Sequence, residues 1–453
     1  MRRQACLFAV AFFVYNLNLR PIPSGDTAPA ALLPLSVVSG HSITLDRFAE
    51  WYRGPQHMNA VWFTRAADGH YYSSFPIALP LLIAPLYAPL AALDIQHMPI
   101  GRVVLLARVI EKISASLIAA LSVVAFLALA RKLVDSKSAW MLTIAYAFGS
   151  PTWSISSQAL WQHGAGELAF ILALLLLMRE GEHPAHVLLA ALAGWCAGFG
   201  VAIRLSNAFP CILMTAYAGL SQWRLRSKAA FACGAFLPVA AVLIYNVRIF
   251  GSALGAYPAG WLLRGNLLDG IAGLLISPSR GLLVFCPVFL FSAIGVYRWF
   301  RTSQKPHAPI YLICLVVVAA HFLTLARYRL WWGGFSYGPR LITDVIPCLV
   351  ILMIPAMRLV EASGPWKSAF GATLVFSIFV QAVGAFCYPN GHWDSLPRSV
   401  DQYPERLWDW RDNQIVRSAS AGPVLAPYRL GWICLTHPES LDAALKQQDV
   451  TLW

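Results

Sequence analysis

The chain has 453 residues, of which 58% are hydrophobic and only 12% charged, about half the charged share of an average soluble domain. So few charges cannot cover a water-soluble protein of this size, which excludes a cytosolic enzyme, a nucleic-acid binder and a disordered chain. The net charge of +13, from 34 Lys and Arg against 21 Asp and Glu, reads as the basic cytoplasmic loops of a multi-pass membrane protein.

The first apolar run, 5–19, follows Arg2 and Arg3. Small residues at 28–30 mimic a signal-peptide cleavage site. The run nevertheless continues into Asn16 and Asn18 and many spans follow, so it reads as span one with its N-terminus inside. Further runs cover 112–130, 139–150, 165–178, 186–203, 205–220, 229–249, 281–297, 309–326, 344–360 and 368–388. Alternating sides puts segments 1–3, 131–137, 179–186, 222–228, 298–307 and 358–367 in the cytoplasm, and each carries Lys or Arg. This alternation requires that 77–93 not cross. Pro80, Pro85 and Pro89 interrupt helical hydrogen bonding there, so the segment is expected to be re-entrant or interfacial. The expectation is an all-α membrane protein of about eleven crossings, with a domain over 1–388 and an outer C-terminal cap over 389–453. The nine cysteines lie mostly in apolar runs without CxxC spacing. Only Cys387 and Cys434 could meet outside the membrane.

The outer segments are then 20–111, 151–164, 250–280, 327–343 and 389–453, and they hold most of the polar motifs. The first, and longest internal one, places Asp26 in a Pro-rich stretch directly after span one. An Asx-turn or a helix N-cap would also account for an Asp there. Leu45, Phe48, Trp51 and Tyr52 form the apolar stripe of a helix that could lie on the bilayer, ended by Gly54-Pro55, with Asp46 and Glu50 on the other face. Val61–Thr64 and Tyr71–Ser74 flank Asp68-Gly69 as a hairpin. At the end of 151–164, His163 stands one helical turn before Glu167, a spacing open to two metal ligands, an acid–base pair, a substrate contact or an ordinary helix start. Arg280 lies among small residues at a span mouth, fit for a phosphate or for snorkelling. In 327–343, Arg327, Arg329 and Arg340 sit among aromatics and Gly. An aromatic belt accounts for Trp331 and Trp332 but not for the Gly-Gly and Gly-Pro-Arg turns.

One carboxylate and two Arg at the outer edge of a membrane suit glycosyl transfer from a lipid-phosphate sugar. Asp26 would take the acceptor proton, and Arg280 and Arg340 would offset charge on the leaving phosphate. Tyr72, Ser73, His163, Glu167, Ser279, Tyr337 and Asp46 are secondary substrate-binding candidates. No metal or other cofactor is expected. In the cap, Trp408, Trp410 and the acids around them could contact sugar or simply pack.

Asp26 just after span one, followed by juxtamembrane helices and a Pro-rich apolar segment, resembles the GT-C superfamily of membrane glycosyltransferases. That superfamily includes bacterial 4-amino-arabinose lipid A transferases and protein O-mannosyltransferases. The segments Ser-Gly-Asp-Thr-Ala-Pro-Ala (24–30), Tyr-Ser-Ser-Phe-Pro-Ile (72–77), Ser-Pro-Ser-Arg-Gly-Leu (277–282) and Ser-Tyr-Gly-Pro-Arg-Leu (336–341) resemble pilin arabinofuranosyltransferases more closely. The resemblance implies a GT-C-like bundle in the bacterial inner membrane, a polyprenyl-phosphate arabinose donor, and a pilin-like protein or glycolipid acceptor outside. Mannosyltransferases pair two acids in the first loop. Here Asp26 stands alone, so their acceptor and metal use do not carry over. The rivals are a transporter or flippase for a lipid-linked sugar, and a lipid-linked glycan ligase.

Overall fold

In the computed structural model the described residues are 2–52, 62–182, 187–256 and 263–437. Gly54, Pro55, Val61 and the acids Glu439, Asp442 and Asp449 lie outside them, as does the side chain of Cys434.

Most of the described chain is helical. The first apolar run forms α1 (Arg2–Asn16). The first outer segment is more structured than its polarity suggests. A 3-10 turn (Gly25–Thr27) runs into α2 (Ala28–Gly40), started by Pro29 in its first turn. Then come α3 (Asp46–Tyr52), strands β1 (Phe63–Arg65) and β2 (Tyr71–Ser73), and α4 (Ala78–Tyr87). The strands pair antiparallel, Thr64 opposite Tyr72, around Gly69 with φ +87°. The ten residues of α4 rise about 15 Å, half the hydrocarbon thickness, and a 3-10 turn over Ala88–Ala92 continues it.

The spans follow. They are α5 (Ile100–Leu133), α6 (Ser136–Phe148), α7 (Gln162–Glu182), α8 (Val187–Ile203), α9 (Ala208–Leu220) and α10 (Leu225–Phe250). A short α11 (Leu267–Ile276) fills part of the third outer segment. Run 281–297 is broken into α12 (Leu282–Phe285) and α13 (Leu290–Arg301) by a 3-10 turn at Pro287. Next are α14 (Ala308–Ala326), α15 (Ile346–Leu352), α16 (Ile354–Ala362) and α17 (Gly364–Phe386). The cap carries α18 (Gln414–Ala421) and α19 (Ala426–Thr436). Four helices, α5, α10, α14 and α17, are each long and apolar enough to cross. Residues Arg340–Ala362 form one further candidate span, bent by 50°.

Helix α5 reaches well beyond its apolar run, and its outer third carries Arg108, Glu111 and Lys112, all buried. Helices α8 and α10 meet backbone to backbone. A Cβ on Gly198 would lie 2.0 Å from the Ala235 carbonyl oxygen, and one on Gly234 2.2 Å from that of Ala191.

Two expectations need correcting. The apolar stripe of α3 does not lie on lipid. Leu45, Phe48 and Tyr52 are buried, with Tyr52 against Phe63 and Trp62 of the hairpin and its hydroxyl taking a bond from Arg108. Nor do Trp331 and Trp332 belong to an aromatic belt. Both are buried, and their indole N–H groups donate to Asp269 and Asp401.

Candidate functional site

All five outer segments meet at one end of the bundle. Arg340 reaches Asp26 of the first segment and stacks on Trp161 of the second; Arg280 of the third reaches Gly334 of the fourth and Asp394 of the fifth.

Asp26 sits on the 3-10 turn that opens α2. Its own backbone N–H is capped by the Ser24 hydroxyl at 3.2 Å, so Ser24, not Asp26, does the local capping. The carboxylate is left for a tertiary partner: Oδ2 accepts from Arg340 Nη1 at 2.8 Å. It stays 41% exposed, against 10% for the Arg340 side chain. The turn has a fixed back wall, because Trp62 of the hairpin lies flat on Gly25, where a Cβ would fall 1.7 Å from the indole ring. Beside it, Thr27 Oγ1 takes a bond from Arg108, which pairs with Glu111 at 2.6 Å.

Arg340 is delivered by two tight turns. Gly333, Gly334 and Gly338 all have positive φ, a backbone that side chains disfavour, which accounts for the Gly-Gly and Gly-Pro-Arg pattern. Nη2 donates to the Gly333 carbonyl at 2.6 Å and the guanidinium lies 4.5 Å from the Trp161 ring. The Trp161 loop is pinned in turn, since Leu160 N–H donates to Glu111 at 3.1 Å. Two of the five N–H groups of Arg340 are thus engaged among the described residues.

Arg280 is placed differently from expectation. It is 1% exposed and all five of its N–H groups are used by the Trp332, Ser279 and Gly334 carbonyls, Gln414 and Asp394. Its guanidinium lies over Trp393. It neither snorkels nor offers a donor to a phosphate; it ties the cap to the span mouths. Burial raises Asp394 above the ordinary carboxylate value, and Arg280 pulls it back only in part.

The secondary candidates scatter. Tyr72 is buried and donates to Asp68 at 2.7 Å. Burial and that bond push its phenol up to about 12, while the same bond lowers Asp68. Ser73 closes a local turn with Phe75, and Ser279 accepts from the Gln414 amide. Asp46 clasps the hairpin, accepting from Tyr71 N–H at 2.6 Å and meeting His70 at 2.8 Å. Tyr337 is buried and donates to the Val380 carbonyl. His163 and Glu167 part company: His163 pairs with Asp344 at 2.7 Å, whereas Glu167 accepts from Tyr146 at 3.1 Å. Among the described residues no group of three His, Cys, Asp or Glu could hold a metal ion.

Three residues outside the sequence reading, Arg204, His321 and Asp344, join this end. Arg204 pairs with Asp344 at 2.9 Å, and His321 lies 4.0 Å from the same carboxylate. The signal was present, since Arg204 is the one charge between apolar runs 186–203 and 205–220. Asp344 borders a small cleft whose apolar wall is Phe170, Phe209, Pro210 and Val317.

No protein family and no curated protein matches the chain by sequence. Its fold is similar to that of ArnT from Cupriavidus metallidurans. Against ArnT bound to undecaprenyl phosphate the identity is 15%, with 99% of this chain and 73% of ArnT covered at a TM-score of 0.53. Against apo ArnT the identity is 14%, the coverage 98% and 73%, and the TM-score 0.52. The chain therefore has an ArnT-like fold, and its long apolar helices make it a multi-pass membrane protein.

Proposed function

We propose that this chain is a glycosyltransferase that moves a sugar from a polyprenyl-phosphate donor to a protein or glycolipid hydroxyl on the outer face of the bacterial inner membrane. The Asp26–Arg340 pair carries this reading. It joins an accessible carboxylate to a guanidinium with N–H groups to spare, where five outer segments converge. The ArnT-like fold supports it, because ArnT was crystallised with undecaprenyl phosphate. Arabinofuranose is the sugar that the four motif segments suggest.

In this mechanism the acceptor oxygen attacks the anomeric carbon as the bond to the phosphate oxygen breaks. The acceptor proton passes to Asp26 and the polyprenyl phosphate leaves with the bonding pair. Arg340 faces the leaving phosphate and Arg280 does not, because every N–H of Arg280 is already committed. The ion pair also gives an order of events. With no donor bound, Arg340 neutralises Asp26. The donor's phosphodiester anion competes for the guanidinium and frees the carboxylate to act as base, and the second negative charge that develops on the phosphate as the sugar leaves strengthens its hold on Arg340. No step requires a metal.

The test uses polyprenyl-phosphate lipids measured by mass spectrometry in cells with the protein, without it, and with Asp26→Asn. A polyprenyl-phosphate sugar accumulating in the last two supports the reading, and its mass names the sugar class. Full transfer by Asp26→Asn removes Asp26 as base.

A further inference from the structure

Helix α19 presents an unusual face. Leu425, at its N-cap, is 52% exposed; Tyr428, Trp432 and Leu435 are 37%, 68% and 84% exposed. The spacing of three, four and three residues puts all four on one stripe of the helix. Leu430, on another face, is buried. Four large apolar side chains in a row would be a liability in water.

The position of the helix tells what covers them. The Tyr428 hydroxyl donates to the Leu17 carbonyl at 2.8 Å, just past the end of α1. The exposed face of α1 is also an apolar stripe, with Val10 at 47%, Phe13 at 65% and Leu17 at 38%, and it is continued by Leu19 at 56%. On a membrane span such a stripe faces acyl chains. The stripe of α19 begins where that of α1 ends, so the lipid-facing surface turns from the span onto the cap helix. Its chemistry suits the boundary layer: Trp and Tyr seat their rings at headgroup depth, and exposed Arg429 beside Tyr428 can reach lipid phosphates.

We infer that α19 is an interfacial helix, embedded by Leu425, Tyr428, Trp432 and Leu435 in the bilayer leaflet on the side of the Asp26–Arg340 site. Only eleven residues long, it lies along the membrane surface rather than across it. It anchors the cap from which Asp394 and Gln414 hold Arg280.

The test is site-specific photo-cross-linking of the full-length protein in nanodiscs of phosphatidylcholine and phosphatidylglycerol. An encoded benzophenone amino acid replaces one residue at a time, at 428, 432 and 435. Phe13 is the lipid-facing reference, and exposed Glu405 of the cap is the water-facing one. Lipid adducts at 432 and 435 comparable to those at Phe13, with none at Glu405, support the inference. Cross-links from 432 and 435 to a second copy would mean that this face is a dimer interface and would overturn it. Lipid adduct at Phe13 alone would also overturn it. None of these outcomes depends on the proposed catalysis.

Discussion

At the residue scale, two arginines that look alike in the sequence are assigned opposite work by their partners. Arg280 has five protein acceptors and a buried counter-ion; Arg340 has two acceptors, one of them the half-buried Asp26. Arg340→Lys should raise the donor KM about tenfold, or about 1.4 kcal/mol, because a point charge cannot serve Gly333, Asp26 and a phosphate together. Initial rates against donor concentration check this; an unchanged KM rejects the phosphate role. Arg280→Met should instead destabilise the fold by about 3–5 kcal/mol, since it strands Asp394 as an uncompensated buried acid. The readout is the thermal midpoint in detergent. If Arg280→Lys kept that midpoint and lost only donor affinity, the tie to the cap would be the wrong assignment. Neither distinction could be read in the chain, where both arginines follow small residues or Gly/Pro turns. Trp332, Gly334, Gln414 and Asp394, four of the five acceptors of Arg280, are 52 to 134 residues away.

At the element scale, the first outer segment is the informative one. Its hairpin and α3 follow from local signals, the Asp68-Gly69 turn and a period near 3.6. Their docking does not, because amphipathicity says that a face is covered and not by what. The clasp between them responds to pH. The hydrogen bond that His70 donates to Asp46, then the Coulomb attraction between them, raises His70 above the ordinary imidazole value. A raised folded-state value means that the contact is fully present below about pH 6.5 and is lost as pH climbs through the raised value. Both groups are exposed, so the effect is small and local. NMR titration of labelled histidine should place His70 above the ordinary value and return it there in Asp46→Asn. The pairing of α8 with α10 is the second element-scale feature. Gly198→Leu should cost about 3 kcal/mol or more and lower the yield of folded protein in size-exclusion chromatography. Gly219→Ala, with nothing within 4 Å of its added Cβ, should not.

At the scale of the whole molecule, the bundle collects distant stretches of chain at one end and leaves the rest apolar. Asp26 and Arg340 are 314 residues apart and yet in contact. That arrangement separates the transferase reading from a flippase. Purified protein in nanodiscs given a polyprenyl-phosphate sugar and an acceptor should consume donor and release polyprenyl phosphate, and Asp26→Asn should do neither. A flippase in vesicles would move donor across the bilayer with no such release.

The sequence by itself determined the solvent. Its apolar runs and sparse charge require a bilayer, and Gly, Pro and alternation mark turns and strands, because each of these is a short-range property. It also singled out Asp26 and Arg340. Only the tertiary structure decided that these two are partners, that Arg280 is a tie, that His163 serves Asp344 rather than Glu167, and that Arg204 belongs to the same end. The physical reason is that a polar side chain beside a membrane must find a partner as it leaves water, and which partner it finds depends on helix packing over hundreds of residues. Spacing along the chain shows which groups need partners; the assembled bundle decides which of them remain free for a substrate.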